Sequence, residues 1–137
     1  MMLAISSRVN EILINPSGSV PNFCSNKIKI GAYTRCAYES QFVDSNFHFV
    51  LNMKTGNVTR RESEILIGKC NWIGNCTSIT KGSKTKDFSI ICAGSLMNKD
   101  YTQNEENFIM LGGSPAKVLA SGLKRIFSTE IEKDIIY

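Results

Sequence analysis

The sequence predicts an all-β fold in which short strands wind into a stacked triangular coil, and two observations predict it. Aliphatic residues recur at every sixth position in Ile67-Gly68, Ile73-Gly74 and Ile79, and again, after a gap, at Ile91 and Met97. Small residues, Cys70, Cys76, Gly82 and Gly94, stand three places after members of that series. A spacing of six fits the helical period of about 3.6 badly but is a multiple of the strand period of about two, so equivalent side chains of successive strands point the same way. One inward aliphatic and one tight corner per unit let three units close a triangle. Stacked triangles bury the aliphatic column and pair backbone groups between turns.

Composition sets the frame. A chain of 137 residues with 42% hydrophobic and 20% charged residues suits one ordinary globular domain. A domain this small buries a limited share of its surface, which favours a repeat stack that shares its flanks with other subunits. The net charge of +4 comes from sixteen basic and twelve acidic residues spread along the chain. The densest basic stretches, Lys81 to Lys86 and Lys117 to Arg125, lack the interleaved aromatics of single-strand binders, so no nucleic-acid partner is expected. Five cysteines without CxxC spacing and a single histidine cannot build the usual structural zinc site, so no metal is expected. The cysteines are expected as small buried residues in a reducing compartment. Arg8 and Glu11 interrupt the start where a signal peptide would be apolar, and no run reaches membrane-span length. A cytoplasmic protein is the expectation.

In chain order, one domain spans 1–137. Residues 1–25 lack the repeat and predict a short helix around Val9, Ile12 and Leu13, then a loop through Pro16-Ser17-Gly18. The repeat occupies 26–119, opening with Ile30-Gly31, Cys36-Ala37 and Phe42-Val43 on the same spacing. Residues 49–64 interrupt it as an excursion loop carrying Lys54-Thr55-Gly56, Arg60 and Arg61. Thr85-Lys86 replaces an aliphatic-glycine pair, which predicts a corner that bulges or faces solvent there. In the tail, 120–137, Thr129 and Glu132 have capping-box spacing and Ile131 and Ile135 lie one turn apart, predicting a short amphipathic helix.

The stretch from Ile65 to Val118 carries Trp72-Ile73-Gly74, Lys81-Gly82, Cys92-Ala93-Gly94-Ser95, Asn98-Lys99-Asp100 and the closing Gly112-Gly113-Ser114-Pro115-Ala116-Lys117-Val118. In that order and spacing it resembles the hexapeptide-repeat acetyltransferases of the sugar- and capsule-modifying type. Upstream, Asp44-Ser45-Asn46-Phe47-His48 resembles the segment that in this family ends in Asp-x-Asp-Phe/Trp-His and supplies the catalytic histidine. Asn46 departs from the pattern by replacing the second Asp. The resemblance implies a left-handed parallel β-helix, a homotrimer, and acetyl-CoA bound between adjacent subunits. It also implies O-acetylation of a sugar or polysaccharide-precursor hydroxyl.

Acetyl transfer to an alcohol requires a base for the hydroxyl proton, and His48 is the one histidine available. Asp44 is expected to stabilise its imidazolium, because Asn46 can orient a ring but carries no charge. The resemblance assigns Asn75 and Ala93 to the pantetheine arm, and Lys99 and Lys117, with Asn98, to the phosphates of coenzyme A. Trp72 lies outside the apolar column and either walls the cleft or packs against a neighbouring subunit. Asn46, Arg60 and Arg61 are expected on the acceptor side, with Arg60 or Arg61 suited to an acidic or phosphorylated acceptor. Two alternatives stand beside O-acetylation: a catalytically silent trimeric scaffold or ligand binder, and N-acetylation of an amino sugar. A zinc-dependent carbonic anhydrase on such a scaffold is excluded by the lone histidine.

Overall fold

The computed structural model of the protein describes residues 2–5, 11–13, 28–46 and 48–126. The described chain is all-β. Its strands are β1 (Met2–Ile5), β2 (Glu11–Leu13), β3 (Ile28–Ile30), β4 (Arg35–Ala37), β5 (Ser40–Val43), β6 (Val50–Leu51) and β7 (Val58–Thr59). They continue as β8 (Ile65–Ile67), β9 (Trp72–Ile73), β10 (Ser78–Thr80), β11 (Ile90–Ile91), β12 (Leu96–Met97), β13 (Met110–Gly113) and β14 (Ala116–Ala120).

Three parallel faces are built from these short strands. The first pairs β3 with β8 and continues through single bridges from Leu66 to Lys84 and from Lys84 to Asp100. The second stacks β4, β9, β11 and β13, and the third β5, β10 and β12. Ile73 pairs with Ile91 and Ile79 with Met97, eighteen positions apart, which is three six-residue units. The chain thus visits the faces in rotation. Ile30 pairs with Ile67, Cys36 with Ile73 and Phe42 with Ile79 at thirty-seven positions, an excess of nineteen that residues 46–64 supply. That excursion contains the antiparallel β6–β7 hairpin. Asn52 closes its tip, accepting the N–H groups of Lys54 and Thr55 at 2.9 and 3.1 Å.

The sixfold series is the core. Ile30, Ile67, Thr85 and Tyr101 line the first face, Cys36, Ile73, Ile91 and Leu111 the second, and Phe42, Ile79 and Met97 the third, all buried. Glycines allow the turns to approach: a Cβ at Gly68 would lie 2.5 Å from the carbonyl carbon of Lys86, one turn along.

Corners repeat as strictly as the core. Positive φ angles fall at Cys70, Cys76, Gly82, Phe88 and Gly94, six residues apart, and at Tyr33, Glu39 and Phe108 in the outer turns. A left-handed conformation costs a non-glycine residue about 1–2 kcal/mol. The residue after each of these corners except Phe108, namely Thr34, Ser40, Asn71, Thr77, Ser83, Ser89 and Ser95, is polar and fully or almost fully buried. Most of them donate to corner carbonyls: Thr34 to Gly68 at 3.0 Å, Ser40 to Gly74 at 3.0 Å, Ser89 to Lys86 at 2.8 Å and Ser95 to Cys92 at 2.6 Å. The bends therefore keep their buried acceptors paired, as an interior requires.

Reversed strands flank the stack. β1 runs antiparallel to β5, β2 antiparallel to β4, and β14 antiparallel to β13 with a register shift between Met110 and Leu111.

Three expectations are corrected. Ile12 and Leu13 lie in strand β2 and not in a helix, because they pair with Cys36 and Arg35 at the open edge of the second face; Val9 lies outside the described residues. Thr85 does not bulge outward. It is 5% exposed and sits in the core column, where its hydroxyl donates to Asn71 Oδ1 at 2.8 Å and accepts the Gly68 N–H at 3.1 Å. Of the described cysteines only Cys36 is buried, while Cys70 and Cys92 are half-buried and Cys76 is exposed, because corners point outward. Cys24 and the helix expected around Thr129, Ile131, Glu132 and Ile135 lie outside the described residues.

Gly68→Ala should lower unfolding free energy by about 3 kcal/mol in denaturant titration, since backbone of the next turn blocks the added methyl. Thr85→Val should cost about 2 kcal/mol, leaving Asn71 Oδ1 and the Gly68 N–H without partners. Ser83→Ala should be neutral or stabilising in the same assay, because the Ser83 hydroxyl is buried without a hydrogen-bond partner among the described residues.

Candidate functional site

The predicted catalytic and acceptor residues gather where the third face turns into the first. Asp44 follows β5, is fully buried, and accepts the Ser63 N–H on its carbonyl at 3.1 Å. Ser45 bridges Glu62 in antiparallel sense, and the exposed Asn46 donates its N–H to the Arg61 carbonyl at 3.0 Å. Farther out, Val50 pairs with Thr59. Between these two anchors stand only residues 46–49 on one strand and 60–61 on the other. His48 and Arg60 therefore lie on opposite strands of the excursion's base, between these two anchors. His48 is exposed, and its imidazole has no hydrogen-bond partner among the described residues. Asp44 and His48 come to the same ribbon, one buried and one facing solvent.

The two arginines differ in their surroundings. Arg61 Nη2 is 2.9 Å from Glu62 Oε1, and its guanidinium lies 5.4 Å from the Phe49 ring centroid. Arg60 is exposed, and its carbonyl accepts a hydrogen bond from the Lys81 ammonium.

The predicted cofactor residues fall into two groups. Trp72 points outward from the second face, 38% exposed, with the Arg125 guanidinium 4.8 Å from its ring centroid. Asn75 and Ala93 stack at the far corner of that face, where Asn75 accepts the Gly94 N–H on its carbonyl at 2.9 Å. Lys117, exposed on β14, pairs with Gly112 at the same end of the face. A Cβ at Gly94 would meet nothing within 4 Å, so this corner presents bare backbone to solvent. Asn98 and Lys99 are exposed on the His48 side, past the third face, with the Lys99 ammonium 5.6 Å from the Tyr101 ring centroid. Next to them, a hydrogen bond from the Thr102 hydroxyl holds the Asp100 carboxylate below its usual range.

Some neighbours of the site had no signal in the sequence. A cavity of about 380 Å³ is lined by Arg60, Glu62, Ser63, Glu64 and Lys84, joining the excursion to the first face. Lys84 reaches it only because the next turn stacks there. Arg125 covers Trp72 from across the sequence, and no local pattern joins them. Cys76 shows a third such pairing: its thiol donates to Glu39 Oε2 at 3.3 Å across one turn.

With the faces and corners in view, the likeness to solved structures becomes informative. The chain shares its fold with acetyltransferases. The polySia-specific acetyltransferase NeuO is 23% identical with a TM-score of 0.67, over 78% of this chain and 49% of that one. The polysialic acid O-acetyltransferase OatWY is 22% identical with a TM-score of 0.62, over 78% and 51%. A maltose O-acetyltransferase from Clostridium difficile 630 is 27% identical with a TM-score of 0.55, over 69% and 48%. The chain spans about half the length of these structures. No protein-family model and no curated protein sequence matches it.

The hydrogen bond to Glu39, with lesser contributions from desolvation and the Glu39 charge, raises the Cys76 thiol above its ordinary value against the opposing Asn75 amide. A raised value means less thiolate at any given pH. Site-resolved alkylation with iodoacetamide should show Cys76 reacting more slowly than a free thiol near neutral pH, its rate rising at higher pH; Glu39→Gln should speed it.

Proposed function

We propose that the protein is an acetyl-CoA-dependent O-acetyltransferase that acylates a hydroxyl of a sugar or polysaccharide precursor by direct transfer. One observation carries this: in a fold shared with O-acetyltransferases, the lone histidine stands solvent-facing on the ribbon where the excursion leaves the stack. Acetyl-CoA supplies the acetyl group as a thioester. His48 takes the acceptor's hydroxyl proton as that oxygen attacks the thioester carbonyl. It hands the proton to sulfur as the carbon–sulfur bond breaks, and no acyl-enzyme forms. The buried Asp44 steadies the imidazolium, and Asn46 orients the acceptor at the mouth of the ribbon.

The residues fit a coenzyme A ligand if two subunits share it. Trp72, Asn75, Ala93 and Lys117 lie on the second face and its far corner, while Asn98 and Lys99 accompany His48 beyond the third. A left-handed parallel β-helix associating as a homotrimer brings the far corner of one subunit to the His48 corner of the next. The bare backbone at Ala93 and Gly94 then admits the pantetheine arm, and the lysines meet phosphates as point charges.

Acetyl-CoA turnover, followed by thiol release across a panel of sugars, tests the assignment. His48→Ala should lower kcat/KM at least about a hundredfold with the fold intact by circular dichroism. Coenzyme A binding without transfer to any acceptor, unchanged by that substitution, would instead favour a silent ligand binder.

A further inference from the structure

We propose that the β6–β7 hairpin docks the protein on an anionic phospholipid surface, a property independent of acetyl transfer. Every residue from His48 to Arg61 is exposed, and β6 and β7 form a two-stranded sheet of their own. A hairpin that meets water on all sides is ordinarily polar. This one carries large apolar side chains: Phe49 is 67% exposed, Val50 53%, Leu51 51%, Met53 86% and Val58 59%. Single exposed apolar residues need no explanation, whereas a cluster of them marks a contact.

Geometry and charge together choose the occupant. Neighbouring residues of a strand point to opposite faces, so Val50 and Leu51 stand on opposite faces of the ribbon, and both are exposed. Leu51 pairs with Val58, which makes one of those faces apolar on both strands. A groove on another protein, or on a second copy of this chain, covers one face of a ribbon and leaves the other in water. A lipid interface receives both. From Ser45 through Arg61 the chain carries Lys54, Arg60 and Arg61 and no Asp or Glu. Arg61 is paired with Glu62 at 2.9 Å, so Lys54 at the turn and Arg60 at the base bracket the apolar stretch with positive charge. Lys81 adds to the charge at the base, its ammonium donating to the Arg60 carbonyl. Such side chains keep their charges among phosphate headgroups while their apolar neighbours enter the acyl boundary. The turn is also preshaped: Asn52 Oδ1 accepts the Lys54 and Thr55 N–H groups, and the Asn52 carbonyl accepts the Gly56 N–H at 2.8 Å. A preshaped arm loses little freedom on docking.

The test is co-sedimentation of the full chain with vesicles of phosphatidylcholine alone and of equimolar phosphatidylcholine and phosphatidylglycerol. The wild-type protein should partition onto the anionic vesicles about tenfold or more strongly than onto the neutral ones, and less so as salt rises. Leu51→Ser combined with Met53→Ser should lower that partition by about tenfold or more. Lys54→Gln should lower it about fivefold. Leu123→Ser, at an exposed apolar residue away from the hairpin, should leave it unchanged. Circular dichroism of all variants should match the wild type, since none of these side chains lies in the core. Equal partition onto both kinds of vesicle would overturn the proposal, as would a double variant that binds as the wild type does. Sedimentation velocity without lipid decides against the rival occupant: the double variant should sediment like the wild type, and a smaller species would make the hairpin a contact between copies and overturn the proposal.

Discussion

A left-handed backbone residue every sixth position is the constraint from which the rest of the structure follows. Each one turns the chain between faces, and turning at constant intervals aligns the aliphatic residues into buried columns. Non-glycine residues resist that conformation, so every bend made at such a residue stores a small opposing term. The buried hydroxyls and the Asn71 amide beside the bends offset it by pairing carbonyls that the bends would otherwise strand. Core and corner are therefore one device, and neither persists without the other.

The site exploits a break in that regularity. Nineteen additional residues leave the stack at one corner and return to it, and their base is a short ribbon pinned at Ser45 to Glu62 and at Val50 to Thr59. A regular turn keeps its polar groups occupied with corner carbonyls. The excursion escapes that duty, so an exposed imidazole and an exposed guanidinium stand on its base.

Much of this was legible in the sequence, and physics explains which parts. The inward residues were legible because stacking locks them to a fixed period: Ile67, Ile73, Ile79, Ile91 and Met97 all occupy the columns their spacing implies. Small corners at Cys70, Cys76, Gly82 and Gly94 were legible for the same reason. Phe88, Phe108, Tyr33 and Glu39 were not, because stacked neighbours can enforce a bend on a residue whose type disfavours it. Phe88 and Phe108 illustrate this, their ring centroids 5.7 Å apart along one edge. Thr85 looked like a defect because its partner, Asn71, is fourteen residues away and belongs to the neighbouring corner. The three- and four-residue strands at the start have no period long enough to announce them. His48, Asp44 and the arginines were visible as residue types in a familiar segment, whereas the cavity at Arg60 depends on Lys84 arriving from the following turn.

The reversed strands flanking the stack bear on how copies of this chain can meet. An open solenoid invites another to add on axially, each parallel strand templating the next. Here β2 and β14 close the second face from opposite ends with strands of contrary direction, and β14 is further offset by its register shift. A second molecule approaching along the axis finds no matching parallel edge on that face.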